Sequence, residues 1–208
     1  NPVSFENYLT KKFNIKFNKS YKNLLEWSIK NSPDFWSTFW DFSKTKGIKS
    51  KKKIRKSKIF YKNLFLPGTK LNFGQNLLSK NNDEKAITFV SENGFREERS
   101  WKKLNLNTAS IIQFLKQIKI VKGDRVAAYM PNCIETVEAF LATTSIGGIW
   151  SSCSPDFGVT GVIERFSQIK PKVLFITDQY FYNGKKINII ERLSKILKLI
   201  PSIKNVII

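Results

Sequence analysis

With 208 residues, 41% of them hydrophobic and 13% aromatic, the chain has enough apolar material to bury a core, as one large domain or as one domain with a smaller appendage, which excludes disorder throughout. It has no histidine, and its two cysteines, Cys133 and Cys153, form neither a disulfide framework nor a metal-spaced pair, so a histidine triad, a histidine base and a zinc site drop out. The net charge of +20 requires either an anionic partner or a compositional cause.

At the N-terminus, NPVSFENYLTKKF lacks the positive start, apolar middle and small-residue cleavage site of a secretion signal, and no apolar run is long enough to span a bilayer. The expectation is a cytoplasmic protein. The first residue is Asn rather than Met, which leaves open whether the chain is complete. Ser20 is predicted to cap a helix from Tyr21 to Lys30, and Ser32-Pro33 to cap and open a second through DFWSTFWDF. Phe35, Trp36, Phe39 and Trp40 fall on one broad face of that second helix, a pattern of core or interface packing.

No acidic residue occurs between Phe42 and Asn82, and Lys44–Lys62 reads KTKGIKSKKKIRKSKIFYK. Such a run would neutralise phosphates on nucleic acid or lie on an anionic membrane surface; it would equally be a solvated face. For the second reading, the excess is mostly Lys, it extends to Lys102, Lys103, Lys116 and Lys119, and it comes with abundant Asn and Ile, as an AT-rich coding sequence gives. No motif that reads nucleic acid accompanies it.

Leu64–Leu78, broken by Pro67-Gly68 and Gly74, is predicted to be an extended connector. From Lys85 onward, AITFVSENGFREERSWKKL alternates around Asn93-Gly94 and predicts a hairpin, followed by an amphipathic helix over Leu104–Ile118. Lys122-Gly123-Asp124 is a turn. Then come a strand at RVAAYM, a helix through PNCIETVEAFLATTSIG with Asn132 placed as its cap, a strand at GGIWSS, a loop CSPDFG and a helix VTGVIERFSQI. After Lys170-Pro171-Lys172 the pattern continues as a strand VLFIT, a loop DQYFYNGKK, a helix INIIERLSKILKLI and a fourth strand from Asn205. This alternation predicts an α/β fold of parallel βαβ repeats preceded by a small helical cap, with the loops after Met130, Trp150 and Ile176 converging at the carboxyl edge of the sheet. Gly158 and Gly161 are read as permitting tight turns and close helix packing. Neither GxGxxG nor GxxxxGK[ST] occurs.

The stretches EWSIKNSPDFWSTFWDFS, LFLPGTKLNFGQNLL, KGDRVAAYMPNCIETVEAFLATTSIGGIWSSCSPDFG, RFSQIKPKVLF and YNGKK together resemble the N-terminal portion of the acetoacetate–CoA ligases, a branch of the acyl-CoA synthetase family of adenylate-forming enzymes. The resemblance covers essentially the whole chain and implies a helical N-terminal cap with connector over residues 1–75 and the start of the AMP-binding large domain over 76–208. It further implies ATP, Mg2+, acetoacetate and coenzyme A as reaction partners, no tightly bound cofactor, and no membrane or specific nucleic-acid partner. The reaction implied converts the carboxylate to an acyl-adenylate with loss of pyrophosphate, then transfers the acyl group to the coenzyme A thiol.

By carry-over, Tyr182, Asn183, Gly184 and Lys185 match the loop that meets coenzyme A, with Lys185 placed to pair with a phosphate. Relatives carry arginine at the positions of Tyr182 and Lys185. Trp150, Ser154, Pro155, Asp156 and Phe157 match the segment lining the acyl and pantetheine end. A solvated strand-to-helix turn is the alternative for these loops. The family's nucleotide loop, adenine- and ribose-binding motifs and catalytic lysine match nothing in this sequence, so no catalytic or metal-binding residue is named. The expectation is a ligase portion inactive by itself, to be completed by the remainder of the ligase. A coenzyme A-binding truncated product and a basic surface binder are the alternatives.

Overall fold

The computed structural model describes residues 2–208 and divides into two compact units, the first ending at Asn72 and the second spanning Phe73–Ile208. In the first unit, α1 (Pro2–Phe13), α2 (Tyr21–Lys30) and α3 (Ser32–Phe42) pack around buried Phe5, Leu9 and Phe17. The Ser20 hydroxyl accepts from the Asn23 amide, as its capping position predicts. Ser32, by contrast, lies inside α3. The cap is Asn31, the one residue between α2 and α3, and its side-chain amide donates to the Trp27 carbonyl, so it serves the end of α2 rather than the start of α3. Phe35, Phe39 and Phe42 of α3 surround Phe5 of α1 with ring centres 4.9–5.6 Å apart, whereas Trp36 turns toward Phe65.

The rest of this unit holds two short antiparallel pairs, β1 (Gly47–Ile48) with β4 (Lys70–Leu71) and β2 (Ile54–Arg55) with β3 (Leu64–Phe65), and a 3-10 turn at Phe60–Lys62. The stretch expected to be an extended connector thus holds strands, and it ends in a short helix, α4 (Phe73–Leu77). Gly74 lets α4 press against a helix further along the second unit: a Cβ there would lie 2.2 Å from the Ser145 hydroxyl and 2.9 Å from the Leu141 carbonyl oxygen.

The second unit continues with the hairpin β5 (Lys85–Val90) and β6 (Arg96–Ser100), then α5 (Trp101–Gln117), capped by the Ser100 hydroxyl on the Lys103 amide. There follow β7 (Arg125–Tyr129), α6 (Ile134–Ser145), β8 (Ile149–Cys153), α7 (Val159–Ile169), β9 (Val173–Ile176), a second hairpin of β10 (Gln179–Tyr182) and β11 (Lys185–Asn188), α8 (Leu193–Leu199) and β12 (Asn205–Ile207). The parallel sheet has the order β12-β9-β7-β8. From β7 to β8 the chain steps one way; from β8 through β9 to β12 it steps the other, so the right-handed crossover rule places α6 on one face and α7 and α8 on the opposite one. The two faces carry separate cores. Val126, Ala128, Val173 and Phe175 pack under α5 and α6, and Ala127, Tyr129, Leu174 and Ile176 under α7 and α8.

Two expectations in this unit are corrected. α6 is capped by Cys133, not Asn132, and its first turn is closed by the Thr136 hydroxyl donating to the Pro131 carbonyl at 2.7 Å. The segment read as a loop and a long helix is instead a hairpin, a single 3-10 turn at Ile190–Arg192 and the shorter α8. Asn183-Gly184, with φ of 51° and 70°, makes the two-residue turn that suits a right-twisted hairpin, and the aromatic residues before it favour a strand. The Asn188 side chain then accepts from the Ile190 amide and ends β11. Among the described residues no helix is long and apolar enough to cross a membrane.

Candidate functional site

Cys153 is buried at the end of β8, and the four residues after it are held from several directions. The Ser154 hydroxyl donates to one Asp156 carboxylate oxygen at 2.8 Å, and the Tyr180 hydroxyl donates to the other at 2.8 Å. The Tyr129 hydroxyl, at the end of β7, lies 2.9 Å from the Pro155 carbonyl and 2.6 Å from that of Phe157. A phenol has one proton, so it serves one of these carbonyls at a time. The Arg192 guanidinium supplies the balance, donating to Pro155 O at 3.0 Å and to the Tyr129 oxygen at 2.5 Å. On the outer side, the Arg165 guanidinium sits 4.1 Å from the Phe157 ring centre, a cation–π contact, and donates to the Gly161 carbonyl. Gly161 keeps Arg165 close, since a Cβ there would meet its Nη1 at 3.3 Å; Gly158, with nothing within 4 Å, has no such role.

Burial, reinforced by the hydrogen bond to Asp156, pushes Tyr180 up to about 12, so its hydroxyl stays a donor at neutral pH. Burial likewise raises the thiols of Cys133 and Cys153, which are therefore poor nucleophiles at neutral pH.

Tyr180 belongs to β10, so the same hydrogen bond ties the Ser154–Phe157 loop to the hairpin carrying Tyr182, Asn183, Gly184 and Lys185. Tyr180 and Ile187 root that hairpin in the core beneath α7 and α8, while its tip is exposed. The amides of Asn183 and Gly184 each donate, at 3.0 Å, to an oxygen of the Glu92 carboxylate from the β5–β6 turn. Trp150 stands apart from this group. It packs between Phe140 and Phe175, ring centres 6.1 Å from each, with the core under α5 and α6, on the sheet face opposite Cys153.

The loop after β7 also turns toward the α6 face. There a cavity of about 360 Å³ is lined by Met130, Cys133, Glu138, Thr177, Asp178 and Ile207, among others. Glu138 is 3% exposed, and one of its carboxylate oxygens accepts from Arg99 Nε at 3.0 Å and from the Asn107 amide at 2.9 Å. Burial raises its pKa against these two donors, and the trio fastens β6 and α5 to α6. The three loops expected to converge do so in pairs: those after β8 and β9 through Asp156 and Tyr180, and that after β7 with the Thr177–Asp178 segment around this cavity and through the Met130 amide on the Cys153 carbonyl. Sequence reasoning passed over Tyr129, Tyr180, Arg192 and Glu92. Only the Asn183-Gly184 dipeptide, the same signal used at Asn93-Gly94, would have revealed part of this arrangement in advance.

Comparison with known proteins identifies the fold's relatives. A model of the AMP-binding enzyme family matches residues 75–208. The acetoacetyl-CoA synthetase of Xenopus tropicalis is 36% identical over 98% of this chain and 31% of its own length, and that of Rhizobium meliloti 38% identical over 86% and 27%. The solved acetoacetyl-CoA synthetase of Streptomyces lividans superposes with a TM-score of 0.91 at 28% identity, covering 98% of this chain and 32% of that one. The chain thus spans about a third of the length of these relatives and has the α/β fold of the corresponding part of an acetoacetyl-CoA synthetase. It belongs to the AMP-binding enzyme family.

Proposed function

We propose that the chain is the N-terminal portion of an AMP-forming acid–thiol ligase that joins acetoacetate to coenzyme A at the expense of ATP, and that alone it binds coenzyme A without completing the reaction. In this reading residues 1–75 form the N-terminal cap with its connector and 76–208 the start of the nucleotide-binding large domain. Lys185, on the exposed hairpin, pairs with a coenzyme A phosphate as a point charge, flanked by Tyr182, Asn183 and Gly184. Ser154, Pro155, Asp156 and Phe157 line the path of the pantetheine arm and acyl group. Trp150 backs this wall from the other face of the sheet and supports the loop without touching ligand.

The observation that carries the reading is the Tyr180–Asp156 hydrogen bond, which joins the two segments matched to coenzyme A and acyl contacts. The chemistry itself, attack of the carboxylate on the α-phosphorus of ATP and then of the thiol on the acyl-adenylate, needs positive charge around crowded oxyanions. We assign that charge, with Mg2+, to the remainder of the ligase.

The test is an assay of the 208-residue protein with ATP, acetoacetate and coenzyme A, together with thermal unfolding in coenzyme A. The expected result is no acetoacetyl-CoA, with stabilisation by coenzyme A that is reduced in Lys185→Ala. Product formation at a rate changed by Asp156→Asn or Lys185→Ala would overturn the inactive part. No stabilisation at saturating coenzyme A would overturn the binding part.

The basic run supports a second reading less well. Phe60 and Tyr61 within it are 91% and 79% exposed, as a surface binder would have them. Yet Lys49 and Lys53 are held by Asp41 and Asp34 of α3, so part of the run stitches the first unit together.

A further inference from the structure

We propose that the two amides at the tip of the β10–β11 hairpin form an anion site, that the Glu92 carboxylate occupies it as an internal competitor, and that a phosphate group on a larger ligand displaces Glu92 to bind there. The inference rests on the reading of this hairpin as a coenzyme A contact and names the residue that governs access to it.

In a two-residue hairpin turn the flanking residues, here Tyr182 and Lys185, exchange the ladder hydrogen bonds, and the amides of the two turn residues are left without a strand partner. With φ of 51° and 70°, Asn183 and Gly184 direct those amides to one side, as successive amides do in anion-binding nests. The site is filled in this structure by an anion of the chain itself: one Glu92 oxygen on each amide, both at 3.0 Å. Glu92 is not there by a chance swing of a mobile loop. Its turn is fixed by the Gly94 amide on the Ser91 carbonyl, the Ser91 amide on the Phe95 carbonyl and the Phe95 amide on the Asn93 side chain.

The consequence is selectivity. A tethered carboxylate has a high effective concentration at the amides, so a small free anion competes poorly. A phosphate monoester carries more charge and more acceptor oxygens, and on a larger ligand it gains further contacts, Lys185 first among them. Glu92 therefore biases an indiscriminate pair of amides toward a phosphate anchored elsewhere. A purely structural role for Glu92 would make its removal weaken anion binding; a competitor's removal strengthens it.

The test uses the isotope-labelled 208-residue protein, following the Asn183 and Gly184 amide signals by NMR during titration with inorganic phosphate, in wild type and in Glu92→Gln, with chloride at matched ionic strength as control. The expected result is half-saturation by phosphate at a concentration about fivefold lower in the variant, the size of a modest coupling between two ligands. Glu92→Ala serves if the Gln side chain retains one amide. Equal or weaker phosphate binding in both variants, no response of these amides to phosphate, or an equal response to chloride overturns the proposal. Coenzyme A is titrated separately with unfolding temperature as readout. If phosphate enters more readily in the variant but coenzyme A stabilises neither protein, the anion site stands and the coenzyme A reading falls. If coenzyme A stabilises both equally and phosphate leaves the tip untouched, the reverse holds.

Discussion

The Ser154–Phe157 loop and the Asn183-Gly184 tip are both held by hydrogen bonds from distant parts of the chain, but the holders differ in kind. Around the loop they are two phenols and a guanidinium at the edge of the core; at the tip there is one exposed carboxylate. Buried donors cannot be exchanged for water without leaving carbonyls unsatisfied, so the loop keeps its shape whether or not a ligand is bound. An exposed carboxylate on exposed amides can be replaced by water or by another anion at little cost. The difference separates a part of the candidate site that is pre-formed from a part that is exchangeable.

Breaking the pre-formed side should cost most. Arg192→Ala removes a charged donor shared by Pro155 and Tyr129, and urea unfolding should show a loss of about 2–3 kcal/mol. A loss no larger than that of an ordinary surface substitution would mean that the loop is held by its own turn.

Tyr180→Phe should cost about 1.5 kcal/mol at neutral pH, through the Asp156 hydrogen bond. It also has a pH signature. The phenol is raised in the folded state from its ordinary value near 10 to about 12, first by burial, so the stability it gives is fully present below pH 10 and is lost as pH rises toward 12. Wild type should therefore lose stability more steeply than Tyr180→Phe across that interval. Parallel curves would show that burial does not govern this group.

On the exchangeable side, Gly184→Ala meets no neighbour within 4 Å but must hold φ near 70°, so about 1 kcal/mol of backbone strain should appear. It should register mainly as faster amide exchange at Tyr182 and Lys185, with the loop after β8 unaffected.

Much of the chain was legible from periodicity and punctuation. β7 follows Gly123-Asp124, α7 runs from Val159 to Ile169 as its apolar spacing requires, and α2 starts at a true Ser cap. What failed were decisions between competing local signals. Ile187 fitted a helix by spacing but is paired with Tyr180 across a hairpin, because the Asn183-Gly184 turn outweighs helical periodicity. Ser32 and Asn132 looked like caps, yet one lies inside α3 and the other is bypassed. α1 was not foreseen, although Phe5 and Leu9, one helical turn apart, are its buried face.

The site segments came from resemblance rather than from pattern, and their holders could come from neither. Tyr129 ends an apolar strand, and Arg192 lies in a short turn between hairpin and helix; only the folded chain makes them neighbours. Trp150 shares the sequence neighbourhood of Cys153, and the strand's alternation sends its ring to the opposite face.

The sheet order has a kinetic consequence. β7 pairs with β9 only after β8 and α7 have been laid down, and Tyr129 waits longer still, until the hairpin has closed and Arg192 arrives behind it. Local hairpins close in microseconds, whereas non-local parallel pairing is slow. The clamp on the Ser154–Phe157 loop is thus among the last contacts made on the way to the native state and among the first released on the way out. The Arg192→Ala protein should accordingly unfold faster while refolding at the parental rate.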